Sequence, residues 1–252
     1  MPNQKEPLIL SIETATRAGS VALARGINLL DAASGDPVAS HSTDLIQTVA
    51  GVLQRAGAKL SDVDLFGVAV GPGSFTGLRI GLATIKSFAM CSGGSCAGIS
   101  TLAAIAHAAG TSKTTVSLLP AGRGELFAQM FSVDDGQVRE LDTAAHLSPA
   151  AIFEKYGTAQ GIRWAGDGAH QQSEGLRDWA RARHLSLKGP DESDAETGEW
   201  SLAPATDTLA VSVAALALNA YRRGDTVSPN DLRAVYVRAS DAEINEKWQR
   251  EK

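Results

Sequence analysis

The chain has 252 residues, 44% of them apolar and 20% charged, an ordinary composition for a globular protein of one large or two modest domains. Its formal net charge of −5 gives a mildly acidic molecule that does not attract nucleic acid by itself, so a role with RNA needs a basic partner or a local patch. Two cysteines, Cys91 and Cys96, are too few for a disulfide framework and lack the companions of a zinc site, and neither a signal peptide nor a membrane-length apolar run is present, so free thiols and a cytoplasmic location are expected.

From the N-terminus, LILSI at 8–12 and SVALA at 20–24 are strand-like runs around ETATRAG at 13–19, which predicts a β-hairpin with a hydroxyl-rich turn. Thr14 and Thr16 in that turn can hold a phosphate or cap the turn, the second being the commoner use of such residues. Residues 26–40 carry Gly, Asp, Ser and Pro at loop density. Ser42 then caps an amphipathic helix whose Leu45, Ile46, Val49, Val52, Leu53 and Ala56 form one apolar stripe, ended by Gly57. His41, just ahead of it, is a candidate site residue or a local hydrogen-bonding group.

The next stretch organises the chain. An apolar run at 65–70 breaks at Gly71, Pro72 and Gly73, and Ser74 opens a helix with Leu78, Leu82, Ile85 and Ala89 at helical spacing. Gly71 and Gly73 permit unusual backbone angles and close approach of a ligand, and with Ser74 the helix start suits an anion. No Gly-Lys-Ser/Thr follows, so this is not a Walker loop, and the glycine spacing is not that of a dinucleotide fold. Gly73, Gly77 and Gly81 fall four apart and leave one helix face bare. Since a helical glycine costs about 0.8–1.0 kcal/mol relative to alanine, the repetition points to close packing against another helix.

Residues 91–97 read as a small-residue loop and 99–109 as a short alanine-rich helix whose lone His107 has no partner histidine for a metal. Apolar runs at 115–119 and 126–131 flank PAGRGE at 120–125, a second hairpin where a new unit begins. Ser148 and Pro149 start a short helix ending at Gly157. A further helix is expected over 171–184, with Arg177, Arg181 and Arg183 available to an acidic partner or, as is commoner, on a solvated face. The stretch 187–206 is rich in Gly, Pro, Asp and Glu and reads as a mobile, dispensable acidic loop. Asp207 or Thr208 then caps a helix to Arg223, stopped by Gly224, after which 228–238 is extended and a polar tail follows.

Taken together, GPGSFTGLRIG at 71–81, ILSIETAT at 9–16, His41 and Ser42 before a helix, GISTL at 98–102, Gly124 and Glu125, and YVR at 236–238 resemble the bacterial TsaB (YeaZ) family over nearly the whole chain. That family is the paralogue of TsaD in synthesis of threonylcarbamoyladenosine beside the tRNA anticodon. The resemblance implies an α/β, two-lobed, actin-like/hexokinase-like (ASKHA) fold, with mixed sheets flanked by helices. The first lobe would be 1–110, rejoined by 207–252, and the second 111–206. It also implies a non-catalytic subunit without intrinsic cofactor or metal, since Thr101 and Ile105 stand where the catalytic paralogue has two metal-binding histidines. The implied partners are the TsaD paralogue as a heterodimer, a TsaE-type ATPase in the complex, a second copy when alone, and tRNA only through the complex, with ATP or ADP at the partner interface. The implied interface comprises His41, Leu45, Val49, Gly77, Arg79, Ile80, Gly81 and Thr84, and the implied phosphate-facing residues are Thr14, Thr16, Gly71, Gly73 and Ser74. Glu13 replaces the family's usual aspartate, and Pro120, Ala121 and Gly122 replace its Asp-Ala-Arg. The alternatives are a free-standing nucleotide-hydrolysing or phosphotransfer enzyme of the same superfamily, which lacks a catalytic carboxylate in the second hairpin, and a metallopeptidase, which lacks ligands and a nucleophile dyad.

Overall fold

Residues 6–35, 41–190, 192 and 198–237 are described by a computed structural model, 41–43 as backbone only. The apolar runs read from the sequence form β1 (Leu8–Glu13) and β2 (Ser20–Arg25), an antiparallel hairpin with Leu8 opposite Arg25 and Glu13 opposite Ser20. β3 (Asn28–Ser34) continues the meander at the sheet edge, where a loop was expected. Its exposed residues break the alternation that marks a half-buried strand, so only pairing with β2 makes it one. β4 (Leu65–Gly71) and β5 (Ser95–Ser100) join in parallel, giving the order β3-β2-β1-β4-β5. β5 takes up the end of the expected small-residue loop and the first two residues of the expected helix, which starts at Thr101 instead. A side chain on its Gly98 would sit 2.7 Å from Val70 and 3.2 Å from Leu232, so close packing selects small residues there.

Period-two alternation sends β1 to both faces. Leu8, Leu10 and Ile12 pack under α1 (His41–Arg55) and α2 (Phe75–Ser92), while Ile9 joins the core beneath α3 (Thr101–Ala108). His41 therefore lies within the first turn of α1 rather than ahead of it. Ser74 caps α2 by accepting from Gly77 N, and Gly93 closes it in the left-handed conformation.

The second sheet begins with the long hairpin β6 (Ser112–Gly122) and β7 (Glu125–Asp134), turned at Arg123 and Gly124, both with positive φ. β8 (Gln137–Glu140) and β9 (Ala145–Leu147) pair with β7, and β10 (Arg163–Ala165) lies parallel to β6. α4 (Pro149–Tyr156) starts on the Ser148 cap with proline at its first position. The expected helix at 171–184 is instead α5 (Asp167–Gln171) followed by α6 (Ser173–Arg181).

The expected mobile acidic loop is corrected at its ends, while 191 and 193–197 lie outside the described residues. Its ends form β11 (Leu187–Lys188) and β12 (Trp200–Leu202), both hydrogen-bonded into the sheet, and Trp200 is fully buried against Trp164. Few apolar residues mark the segment, but they are the ones that pack. α7 (Leu209–Arg223) then returns to the first sheet and lies beside α3, so one hydrophobic core runs from β1 and β4 through these helices to Leu119, Phe127 and Phe131 of the second sheet. No helix among the described residues is long and apolar enough to cross a membrane.

Candidate functional site

The two predicted threonines do different work. Thr14 is buried and its hydroxyl donates to the Gly77 carbonyl at 2.7 Å, tying the first hairpin to the opening turn of α2. A side chain on Gly77 would come within 1.9 Å of the Thr14 carbonyl, and one on Gly81 within 2.3 Å of the Thr14 hydroxyl. The bare glycine face of α2 thus packs inside the chain, against β1 and its turn, and Gly77 and Gly81 are not surface contacts. Leu45 and Val49 are likewise buried in the core under α1, because the apolar stripe of that helix is consumed by its own sheet.

The expected phosphate cradle is also filled from within. Gly71 φ is +120° and Gly73 φ is +156°, angles that suit glycine, but the neighbours are protein. The Val235 carbonyl lies over Gly71, Ala15 lies against Gly73, and Ser74 N donates to the Ala15 carbonyl at 2.9 Å. Ser74 Oγ accepts from Gly77 N. Thr16 is in contact with a carboxylate: its N–H donates to Glu13 Oε1 at 2.7 Å and its hydroxyl to Glu13 Oε2 at 2.6 Å.

Glu13 and Thr16 line a cleft between the two sheets with a volume of about 100 Å³. Ile105, Ala109, Leu119, Ala165 and Leu209 make its apolar wall, Asp167 and Asp207 add two further carboxylates, and no lysine, arginine or histidine lines it among the described residues. Thr101 and Ile105 are both buried, one turn apart on α3. A hydroxyl and a hydrocarbon supply no metal-binding pair, and no cluster of three His, Cys, Asp or Glu exists among the described residues.

On the outer side of α2 the remaining predicted residues come together. Arg79 is exposed, with its guanidinium 3.8 Å from the Phe75 ring centroid, while Ile80 and Thr84 are half-buried. Ala83 and Met90 extend this outward strip, and Ile46 of α1 is exposed, unlike the rest of its apolar stripe. Tyr236 stacks on Phe75 at 5.3 Å, and Val235 N donates to the Val70 carbonyl at 2.8 Å, which straps the chain after α7 across the start of α2. The 3.6-residue period turns Ala83 and Met90 away from buried Ile85, but Tyr236 is brought there only by the fold.

Buried polar groups elsewhere follow their surroundings. His107 Nδ1 lies 3.0 Å from Ser212 Oγ, and burial lowers its pKa below 6.5. Burial pushes the Cys96 thiol up to about 11 against the opposing effect of Lys86, so Cys96 is a packing residue, not a nucleophile.

Residues 37–186, more than half of the chain, match the family model TsaD, tRNA N6-adenosine threonylcarbamoyltransferase. The chain belongs to this family. It is 27% identical over 234 residues, 91% of this chain and 94% of the relative, to the tRNA threonylcarbamoyladenosine biosynthesis protein TsaB of Escherichia coli K12. YeaZ from Pseudomonas aeruginosa shares its fold, with a TM-score of 0.71 and 24% identity over 91% of this chain and 99% of that one. The TsaB/YeaZ resemblance read in the sequence therefore stands. The actin-like fold extends to the activator of 2-hydroxyisocaproyl-CoA dehydratase from Clostridium difficile, solved with bound ADPNP, at a TM-score of 0.51 and 10% identity over 90% of this chain and 99% of that one.

Proposed function

We propose that this member of the TsaD family is a non-catalytic subunit that pairs with a TsaD-type catalytic paralogue and so takes part in threonylcarbamoyl modification of tRNA in the cytoplasm. The observation that carries the reading is the outward face of α2. Thr76, Arg79, Ala83, Ser87 and Met90 are exposed along one side of α2, whose opposite side is buried, and exposed Tyr236 packs on Phe75 at its start. Small and apolar groups on a helix side let a partner helix approach closely, and the aromatic–arginine stack at Phe75, Arg79 and Tyr236 supplies the rigid anchors that interfaces favour. In the same reading the face pairs with a second copy when the paralogue is absent. The TsaE-type ATPase and tRNA engage only the assembled complex, and ATP or ADP is held together with the partner.

The buried Thr101 and Ile105 support a subunit without its own metal centre. The test is co-elution of the chain with the paralogue, followed by tRNA modification with both, either or neither. Ala83→Arg, at an exposed position, should leave the melting temperature unchanged and weaken pairing at least about tenfold, because a core interface position tolerates an unpaired charge poorly. Normal pairing of that variant would place the interface elsewhere, and modification by the chain alone would overturn the non-catalytic reading.

A further inference from the structure

We propose that the strap formed by residues 232–237 is a positioning element for pairing: through the Tyr236 ring it fixes Phe75 and Arg79, so that the Arg79 guanidinium is aimed at a carboxylate on the partner. The inference deepens the reading above and rests on it, since it names the chemistry that the outward face of α2 selects in the TsaD-type paralogue.

The strap is fastened at its start and open at its end. Just upstream, Val227 exchanges backbone hydrogen bonds with Cys96 of β5 at 2.8 and 3.0 Å. Leu232 is 3% exposed and packs in the same core cluster as Val70. Val235 N donates to the Val70 carbonyl at 2.8 Å, and the Val235 carbonyl lies over Gly71, where a side chain would find no room. These contacts run the backbone along the end of β4 and deliver Tyr236, itself 49% exposed, to Phe75, the first residue of α2.

Phe75 links the strap to Arg79. Its ring centroid is 5.3 Å from that of Tyr236 and 3.8 Å from the guanidinium carbon of Arg79, one helical turn on. A guanidinium stacked by its face keeps its N–H edges free, and those edges match the two oxygens of a carboxylate. Arg79 is exposed, and among the described residues no carboxylate or carbonyl accepts from it. The stack restricts the rotamers of a long side chain before any partner arrives, so less freedom is lost on pairing. The only other cation of α2, Lys86, is half-buried and acts on the Cys96 thiol. One exposed guanidinium suits a single carboxylate, whereas a polyphosphate calls for several cations.

The experiment titrates the full chain with the purified paralogue, free of nucleotide, at several salt concentrations. Arg79→Gln should weaken pairing at least about fivefold and flatten its salt dependence, because the charge is gone. Tyr236→Ala leaves Arg79 in place, yet should weaken pairing about threefold to tenfold and flatten the salt dependence as well, while Tyr236→Phe, which keeps the ring, should restore both. If Tyr236→Ala does not fold, Phe75→Leu decides: it cuts the link between ring and guanidinium and must give the same loss. A folded Tyr236→Ala or Phe75→Leu that retains the full salt dependence overturns the positioning role, as does a Tyr236→Phe no better than Tyr236→Ala. An effect of Arg79→Gln that emerges only when ADP is added overturns the carboxylate assignment. Ala83→Arg is run beside these variants: if it pairs normally, the functional reading fails, and if it alone loses pairing, the strap's role fails and the reading survives.

Discussion

Thr14 joins two stretches that lie far apart in sequence: its hydroxyl meets Gly77 O, and its backbone and side chain fill the space where Gly77 and Gly81 lack a Cβ. Substitution at either glycine therefore acts on folding before it acts on any partner. Gly81→Leu gains helix propensity of about 0.8 kcal/mol but must displace buried Thr14, at a cost of about 1–3 kcal/mol or more. A lower urea midpoint for the isolated variant is the expected outcome, and an unchanged one would show that the Thr14 contact yields freely. His107 makes a second prediction. Because burial lowers its pKa below 6.5, the unfolded chain binds the proton more readily than the folded one, so the neutral ring costs nothing above pH 6.5 and stability falls as the pH drops below it. His107→Gln should flatten that acid-side slope when unfolding free energy is measured across the range. An unaltered slope would assign the pH dependence to other groups.

At the scale of elements, β12 shows how few apolar residues can anchor a segment. Trp200 is enclosed by Trp164, donates its indole N–H to the Ala159 carbonyl at 2.9 Å, and sits in a strand paired with β10 and β11. Trp200→Ala should cost about 3–5 kcal/mol, the usual penalty for emptying a large aromatic site, and denaturant unfolding measures it. Deleting 187–206 removes β11 and β12, the two outermost strands on one side of the second sheet, and should lower the melting temperature sharply, contrary to the dispensability that the acidic composition suggests. The outward strip of α2 is the opposite case: Ala83 and Met90 touch solvent, and polar substitutions there should spare stability and show only in pairing.

For the whole molecule, the decisive feature is the shared core under α3 and α7, which reaches both sheets. Such continuity predicts one cooperative transition. Trp164, Trp179 and Trp200 all lie in or against the second sheet, so in a Trp248→Phe background fluorescence reports that half while far-ultraviolet circular dichroism reports the whole. Coincident urea curves are expected, and a fluorescence transition that precedes the other would mean that the sheets unfold separately.

Strong local signals were legible without the fold. The hairpins at 13–19 and 120–125, the capped helices at 74 and 148, the glycine stop at 224 and the family motifs all rest on turn chemistry, capping or periodicity within a few residues, and these the sequence by itself determined. Tertiary structure alone decided what each surface touches. A glycine stripe reads the same whether a partner helix or Thr14 lies over it, and the stripe of Leu45 and Val49 reads the same whether it faces a partner or its own sheet. β3 and β5 lack periodicity because an edge strand and a tightly covered strand take their conformation from the neighbours to which they hydrogen-bond. Glu13 is the sharpest instance: the sequence offers Thr16 as a phosphate donor, and only the folded turn shows that a carboxylate three residues away has already claimed it, because hydrogen-bond satisfaction belongs to geometry and not to residue type.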